Sequence, residues 1–156
     1  MGVRDLSGDA APLHVGPAVR ERVRWSDVDV MGIVYYGRYL RFMEAAEAEF
    51  FRAIGFPYDV LADRYGVWVA RVRLECDYRV PAKLDDEVVV RAELRTLGGS
   101  SMTFAFPIDR ADGTRLVDGR LALAAVDRTT LRAARLPRAF TDAARRDQPS
   151  SSESRS

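Results

Sequence analysis

The sequence has few of the side chains that most often carry out chemistry in enzymes. Its 156 residues include one histidine (His14), one cysteine (Cys76) and one lysine (Lys83). A single cysteine excludes an internal disulfide and a cysteine-rich zinc site, and a single histidine excludes a site with two histidine ligands. Histidine-assisted nucleophilic catalysis would depend on His14 alone. We therefore expect carboxylates, hydroxyls, arginines and backbone amides to supply any catalytic groups.

Neither an excess of charge nor a long apolar run is present. Lysine and arginine total 24, aspartate and glutamate total 23, and the formal net charge is +1. Nucleic-acid binding normally requires a strong basic excess, so we expect no such partner. The sequence contains no run of about 18 apolar residues, so no membrane span is predicted. Residues 1–17 lack the apolar stretch of a signal peptide, which predicts a cytoplasmic location.

Length and local composition predict one domain with loose ends. Residues 1–17 and 141–156 show no hydrophobic periodicity and are rich in glycine, proline or serine together with charged residues. Such segments bury too little apolar surface to offset the entropy of ordering, so both are predicted to be disordered. The ordered domain is predicted to span residues 18–140.

The hydrophobic pattern predicts an α+β fold. Residues 19–25 alternate as a strand does, and residues 37–54 repeat apolar side chains every three or four positions, as an amphipathic helix does. Gly55 and Pro57 are expected to end that helix. Four more alternating strands follow, around residues 68–80, 87–95, 102–108 and 115–126. We predict a five-stranded antiparallel sheet against one long helix, with the uncovered edges favouring a dimer or tetramer.

One segment carries a specific motif. Residues 25–56 contain D-x-D-x-x-G-x-V-Y-Y-x-x-Y, followed downstream by a P-x-x-x-D-D turn, an L-G-x-S-S hairpin and an A-D-G turn. In these features, and over nearly all of residues 19–137, the chain resembles the hotdog-fold acyl-CoA thioesterases of the 4-hydroxybenzoyl-CoA thioesterase type. The resemblance implies a hotdog fold, in which a sheet wraps around one helix. The motif residues are Asp27, Asp29, Gly32, Val34, Tyr35, Tyr36 and Tyr39.

The resemblance also implies a mechanism. The second aspartate of the motif, Asp29, would be the catalytic carboxylate, which attacks the thioester carbonyl directly or activates a water. Backbone N–H groups near Tyr36 and Gly37, where the helix begins, would stabilise the oxyanion. In this family the dimer partner usually supplies part of the site, and no metal or redox cofactor is implied. Asp27 is interpreted as a residue that orients the loop, and a turn or capping role is the alternative for Asp29.

Several further residues are candidates for substrate binding. Tyr36 either lines the acyl pocket or simply packs. Tyr39, Phe42 and Met43 are interpreted mainly as core residues, of which a subset is a candidate for contact with the acyl chain. In relatives, basic or serine residues at the β-hairpin bind the coenzyme A phosphates. Here Gly99 stands where many members have arginine, which leaves Ser100, Ser101 and an arginine from elsewhere as candidates.

Alternative functions remain open at this point. An acyl carrier protein could deliver the thioester, as in enzymes that release a polyketide or fatty acyl chain, or the protein could bind acyl thioesters without catalysis. A hotdog dehydratase would need an Asp–His pair, for which His14 lies too early in the chain. Another hotdog branch places a catalytic glutamate on the helix, but Glu44, Glu47 and Glu49 are interpreted as solvated or supporting charges. Cys76 is interpreted as inert core.

Overall fold

The computed structural model describes Leu6 and residues 10–146. Two short 3-10 turns, Trp25–Asp27 and Tyr36–Arg38, precede the longest helix. The helices and strands, in chain order, are β1 (His14–Val15), β2 (Val19–Arg22), α1 (Tyr39–Ala53), α2 (Tyr58–Tyr65), β3 (Val67–Tyr78), β4 (Glu87–Val90), β5 (Glu93–Leu97), β6 (Ser101–Arg110), β7 (Arg115–Asp127) and α3 (Arg138–Arg145).

All the strands join one antiparallel sheet with five rows. β3 pairs with β7, β7 with β6, and β6 with both β4 and β5. β4 and β5 together form the fourth row. The fifth row consists of β2, which pairs with β4, and β1, which pairs with β5. The predicted α+β class with an antiparallel sheet and one long helix is confirmed. The strand count is seven rather than five, because the fourth row is interrupted at Arg91 and Ala92 and the fifth between Val15 and Val19.

Helix α1 buries the apolar stripe that its periodicity predicts. Tyr39, Phe42, Met43, Ala46 and Phe50 are all buried in the main core. The core side of the sheet supplies the buried side chains of β4, β5 and β6, including the ring of Phe104, which packs edge-on against Phe50 at 5.0 Å. The predicted helix is therefore confirmed as the element around which the sheet packs.

The end of α1 follows from the glycine at position 55. Gly55 has φ +85°, a left-handed conformation that glycine adopts without steric cost. The N–H of Gly55 donates to the carbonyl of Arg52 at 3.1 Å, and the N–H of Phe56 donates to that of Phe51 at 2.9 Å. These two bonds form a Schellman motif, which satisfies carbonyls that the helix itself leaves free.

The longest predicted strand does not keep its apolar side chains on one face. The register of β3 with β7 shifts between Arg71 and Arg73, so one extra residue is inserted there. Val67 and Val69 pack against the core before this bulge, and Cys76 packs against it after the bulge. Because one inserted residue exchanges the two faces of a strand, Trp68 is 42% exposed instead of sharing a face with Cys76.

Three elements have no counterpart in the predicted pattern. β1 lies within the predicted loose segment 1–17 and pairs His14 with Leu94. α3 crosses the predicted boundary at residue 140 and buries Phe140, whose ring stacks on Phe51 at 5.5 Å. α2 follows α1 directly. Elements this short carry too few periodic positions to be recognised from the sequence.

Of the two ends predicted to be disordered, residues 1–5, 7–9 and 147–156 lie outside the described residues. Within residues 10–146, no helix is long and apolar enough to cross a membrane.

Candidate active site

Asp29 lies in a tight turn between the first 3-10 turn and α1. Its N–H donates to the carbonyl of Ile33 and its carbonyl accepts from the N–H of Gly32, both at 3.0 Å. Gly32 has φ +75°, which the turn requires. The Oδ1 atom of Asp29 accepts a 2.8 Å hydrogen bond from the N–H of Met31. Among the described residues, Oδ2 has no hydrogen-bond partner, so the half-buried carboxylate keeps one oxygen available.

Asp27, two residues earlier, has a different environment. It is 1% exposed, and its carboxylate accepts hydrogen bonds from the N–H of Arg24 at 2.8 Å and from Nε and Nη2 of Arg41 at 3.2 and 2.7 Å. Burial alone would raise the pKa of Asp27, but the hydrogen bonds from Arg41 and Arg24 outweigh it and lower the pKa. Asp27 therefore connects the loop to Arg41 of α1, in agreement with the interpretation that it orients the loop.

A cavity of about 370 Å³ opens beside Asp29. This volume lies within the range typical of small-molecule sites. Asp29 is the only carboxylate among the lining residues, which are Asp29, Met31, Ile33, Val34, Tyr36, Tyr39, Tyr78, Arg79, Val80 and Pro81. The lining cation, Arg79, is paired with Asp118 at 2.6 Å. The cavity therefore combines a mostly apolar and aromatic wall with a single acid.

The beginning of the helical segment lies next to this cavity. The first hydrogen bond of the segment is donated by the N–H of Arg38 to the carbonyl of Tyr35 at 2.8 Å, so the N–H groups of Tyr36 and Gly37 precede it. Tyr36 lines the cavity with a ring that is 65% exposed, whereas Gly37 is not among the lining residues. The hydroxyl of Tyr78 donates to the carbonyl of Tyr36 at 3.0 Å, which joins the end of β3 to the helix start. Burial, together with neighbouring Cys76, raises the pKa of Tyr78 to about 12, so this hydroxyl stays a donor near neutral pH.

The predicted acyl-contact residues are only partly at the cavity. Tyr39 lines it, while its hydroxyl accepts a 3.1 Å hydrogen bond from the N–H of Ala82. Phe42 and Met43 are buried in the core and do not line the cavity. Tyr39 is the first residue of the apolar stripe of α1 and lies beside the cavity. The later residues of the stripe face the sheet.

The predicted hairpin residues lie at the other end of the sheet. The hairpin closes with a 2.8 Å hydrogen bond from the N–H of Gly98 to the carbonyl of Ser101. Ser101 pairs with Ala124 on β7, whereas Tyr78, beside the cavity, pairs with Val117. Seven residues of extended strand separate these positions by about 23 Å. A single chain therefore does not bring Gly99, Ser100 and Ser101 together with Asp29.

The sequence patterns do not predict the cavity wall at the end of β3. Alternation places Tyr78 and Val80 at the end of a strand, and Pro81 begins the P-x-x-x-D-D turn. Nothing local links these residues to Asp29, which lies about fifty residues earlier. Of the two interpretations of the helix glutamates, solvated or supporting, the surroundings of Glu47 match the supporting one. It is 1% exposed and accepts 2.7 Å hydrogen bonds from Tyr58 and Arg71, and burial raises its pKa.

A second cavity, of about 280 Å³, lies beside this buried cluster and is lined by Glu44, Tyr58, Leu61, Val67, Trp68, Val69 and Arg71. Within residues 10–146, no group of three or more histidine, cysteine, aspartate or glutamate side chains is placed to hold a metal ion.

Comparisons with known proteins match this fold. A model of the thioesterase-like superfamily matches residues 23–144. The acyl-CoA thioester hydrolase YbgC of Escherichia coli O6:H1 is 30% identical over 119 residues, which cover 76% of this chain and 88% of that protein. A thioesterase from Thermus thermophilus, solved in complex with coenzyme A and Zn, superposes with TM-score 0.71 at 30% identity, covering 83% of this chain and 97% of that one. The DHNA-CoA thioesterase of Staphylococcus aureus has the same fold, with TM-score 0.75, 21% identity and coverage of 83% and 85%.

The chain belongs to the thioesterase-like superfamily. Within it, the chain is similar to acyl-CoA thioester hydrolases such as YbgC. The family and the hotdog fold expected from the motif are confirmed.

Proposed function

We propose that the protein hydrolyses acyl or aroyl thioesters of coenzyme A and that Asp29 is the catalytic carboxylate. One observation carries the proposal: among the described residues, Asp29 is the only acid on the wall of a mostly apolar cavity, beside the start of the helical segment. The similarity to acyl-CoA thioester hydrolases supports the reaction class.

The geometry supports two routes for the reaction. In one, an oxygen of Asp29 bonds to the thioester carbon, the C–S bond breaks with loss of the thiolate, and water then hydrolyses the mixed anhydride. In the other, Asp29 removes a proton from a water that attacks the same carbon, and the C–S bond then breaks with loss of the thiolate, which takes up that proton. Both routes place negative charge on the carbonyl oxygen. The N–H groups of Tyr36 and Gly37 have no partner in the preceding turn and would stabilise that charge, at about 3–4 kcal/mol for one donor.

We further propose that the active form is a homodimer, or a tetramer built from it. Among the described residues, β3 is a twelve-residue edge strand whose one partner is β7, and its exposed side chains include Val72, Leu74 and Tyr78. A long edge strand with exposed apolar side chains has unpaired backbone groups that favour pairing with another strand. Antiparallel pairing of β3 with a second copy would place the partner's hairpin near the Asp29 cavity. Sedimentation of the purified protein tests this, and a monomer at assay concentration contradicts it.

The decisive experiment is turnover of a panel of acyl-CoA and acyl-carrier-protein thioesters, followed by release of free thiol. Asp29→Asn is expected to lower kcat/KM at least about 100-fold, because the asparagine amide neither attacks nor accepts a proton. Asp59→Asn, at an exposed aspartate without an ion pair in the described residues, is the matched control and should keep wild-type activity. Retention of more than about one tenth of the activity by Asp29→Asn rules out Asp29 as the carboxylate. If only carrier-protein thioesters are hydrolysed, the substrate is a thioester of an acyl carrier protein and not of coenzyme A. Binding without turnover would indicate a non-catalytic binding protein.

A further inference from the structure

The side chain of Tyr78 connects the end of β3 to the backbone at the start of the helical segment. Its hydroxyl donates to the carbonyl of Tyr36 at 3.0 Å, and the two residues are 42 positions apart in the chain. That carbonyl and the N–H of Gly37 belong to one peptide group. The hydrogen bond therefore acts on an amide whose N–H is one of the two proposed oxyanion donors.

A hydrogen bond to the carbonyl of an amide affects its N–H in two ways. A peptide group is planar and trans, so its carbonyl and its N–H point in opposite directions, and a donor that fixes the carbonyl also fixes the direction of the N–H. The same bond polarises the amide, and hydrogen bonds linked in this way strengthen one another by about 10–30%. The amide between Tyr36 and Gly37 is therefore both oriented and polarised by the hydroxyl of Tyr78.

The ring of Tyr78 is held on two sides. Its backbone is fixed by the sheet, where Tyr78 pairs with Val117 of β7. Its ring packs edge-on against the ring of Tyr39, with centroids 5.6 Å apart. Tyr39 is fixed in turn, because its hydroxyl accepts a 3.1 Å hydrogen bond from the N–H of Ala82. Packing thus directs the hydroxyl of Tyr78 to one backbone carbonyl.

We propose that Tyr78 is a positioning residue for thioester hydrolysis, whose hydroxyl holds the Tyr36–Gly37 peptide so that the N–H groups at the helix start bind the oxyanion. This inference rests on the proposed function. Tyr78 acts through the peptide and not on the reacting atoms. Because a stronger N–H donor gains most when the carbonyl oxygen becomes negative, the effect belongs to the transition state and not to substrate binding.

The kinetic test removes the hydroxyl and keeps the ring. Tyr78→Phe is expected to lower kcat for an acyl-CoA about tenfold with KM unchanged, less than the roughly 100-fold effect of losing an oxyanion donor itself. Tyr65→Phe is the matched control and should keep wild-type kcat. The ring of Tyr65 also packs against another aromatic ring, that of Phe56, but its hydroxyl has no hydrogen-bond partner in the described part of the chain.

A spectroscopic measurement distinguishes positioning from a general structural role. In the Asp29→Asn background, the infrared difference spectrum of a bound acyl-CoA with a ¹³C-labelled thioester carbonyl gives the carbonyl stretching frequency. Hydrogen bonds from the helix start polarise that carbonyl and should lower its frequency below the value in water. Adding Tyr78→Phe should reverse part of this decrease, and adding Tyr65→Phe should leave it unchanged. Sedimentation checks that all variants keep the same state of assembly.

The outcomes separate this inference from the proposed function. If wild type hydrolyses thioesters and Tyr78→Phe keeps both its kcat and its carbonyl frequency, the inference is wrong and the proposed function stands. A rise in KM at constant kcat also overturns the inference, because Tyr78 would then contribute to binding alone. If wild type hydrolyses no thioester in the panel, the proposed function itself is wrong, and the inference with it.

Discussion

Asp27 and Asp29 stand two residues apart in one loop, yet the fold gives their carboxylates opposite surroundings. Asp27 is buried and accepts three hydrogen bonds, two of them from Arg41 of helix α1. Asp29 is half-buried, accepts one hydrogen bond from the backbone and faces a cavity. The anchored half of the loop thus stabilises the fold, and the open half leaves a carboxylate oxygen for chemistry. Variants that affect only one half test this division.

The largest stability effect is expected at the anchor. Arg41→Met should lower the free energy of unfolding by about 2–3 kcal/mol, because it leaves the Asp27 carboxylate buried without its main donor. Urea denaturation measures the change. Arg52→Met, on the same helix, removes an exposed pair with Glu49 and should cost less than about 1 kcal/mol. Equal effects of the two variants would show that Asp27 does not anchor the loop.

The turn itself is expected to have an intermediate effect. Gly32→Ala places a Cβ on a residue with φ +75° and should cost about 1–2 kcal/mol from backbone strain, with loss of activity because the turn positions Asp29. Gly113→Ala, in the β6–β7 hairpin at φ +93°, is the matched control. It should lose similar stability in thermal denaturation and keep kcat. If Gly32→Ala keeps full kcat, the turn does not position Asp29.

Acid should weaken the anchor at Asp27. The folded state lowers the pKa of Asp27, so the stability that this group adds is complete above the pKa of an unfolded aspartate, about 3.9, and disappears as pH falls through the lower folded value. The free energy of unfolding of Asp27→Asn should therefore fall less steeply between about pH 5 and pH 2 than that of wild type. Parallel pH curves for the two proteins would contradict the assignment.

The smallest effect is expected from Asp29→Asn, when stability rather than activity is measured. The asparagine oxygen can still accept the hydrogen bond from the N–H of Met31, so the free energy of unfolding should change by less than about 0.5 kcal/mol. Combined with a large loss of turnover, that result would sharpen the division between the two aspartates. A cost above about 2 kcal/mol would instead give Asp29 a structural role.

Much of the fold was predictable because long elements repeat their apolar residues regularly. The stripe of α1 and the buried rows of β4, β5 and β6 lie where the periodicity places them. The bulge in β3 was not predictable, since nothing around Val72 distinguishes an inserted residue from ordinary alternation. The short elements β1 and α3 were missed for the complementary reason, because they depend on contacts with residues far along the chain, such as Leu94 and Phe51.

The candidate site divides in the same way. The motif around Asp29 and the helix start is local, so the sequence and its family resemblance predict those residues directly. The cavity wall from Tyr78 to Pro81 comes from a distant strand and was not identified. Phe42 and Met43 lie in the core, as their main interpretation expects, and of the three helix candidates only Tyr39 lines the cavity.

By itself, the sequence determined the α+β class, the long central helix and the motif that contains Asp29, because periodicity and motifs are local properties. Only the tertiary structure decided which aspartate is anchored by Arg41 and which faces a cavity. It also decided that a guanidinium from position 135 covers Gly99. Both outcomes depend on pairs of groups that are distant in the chain, and such contacts exist only after the sheet has packed against its helix.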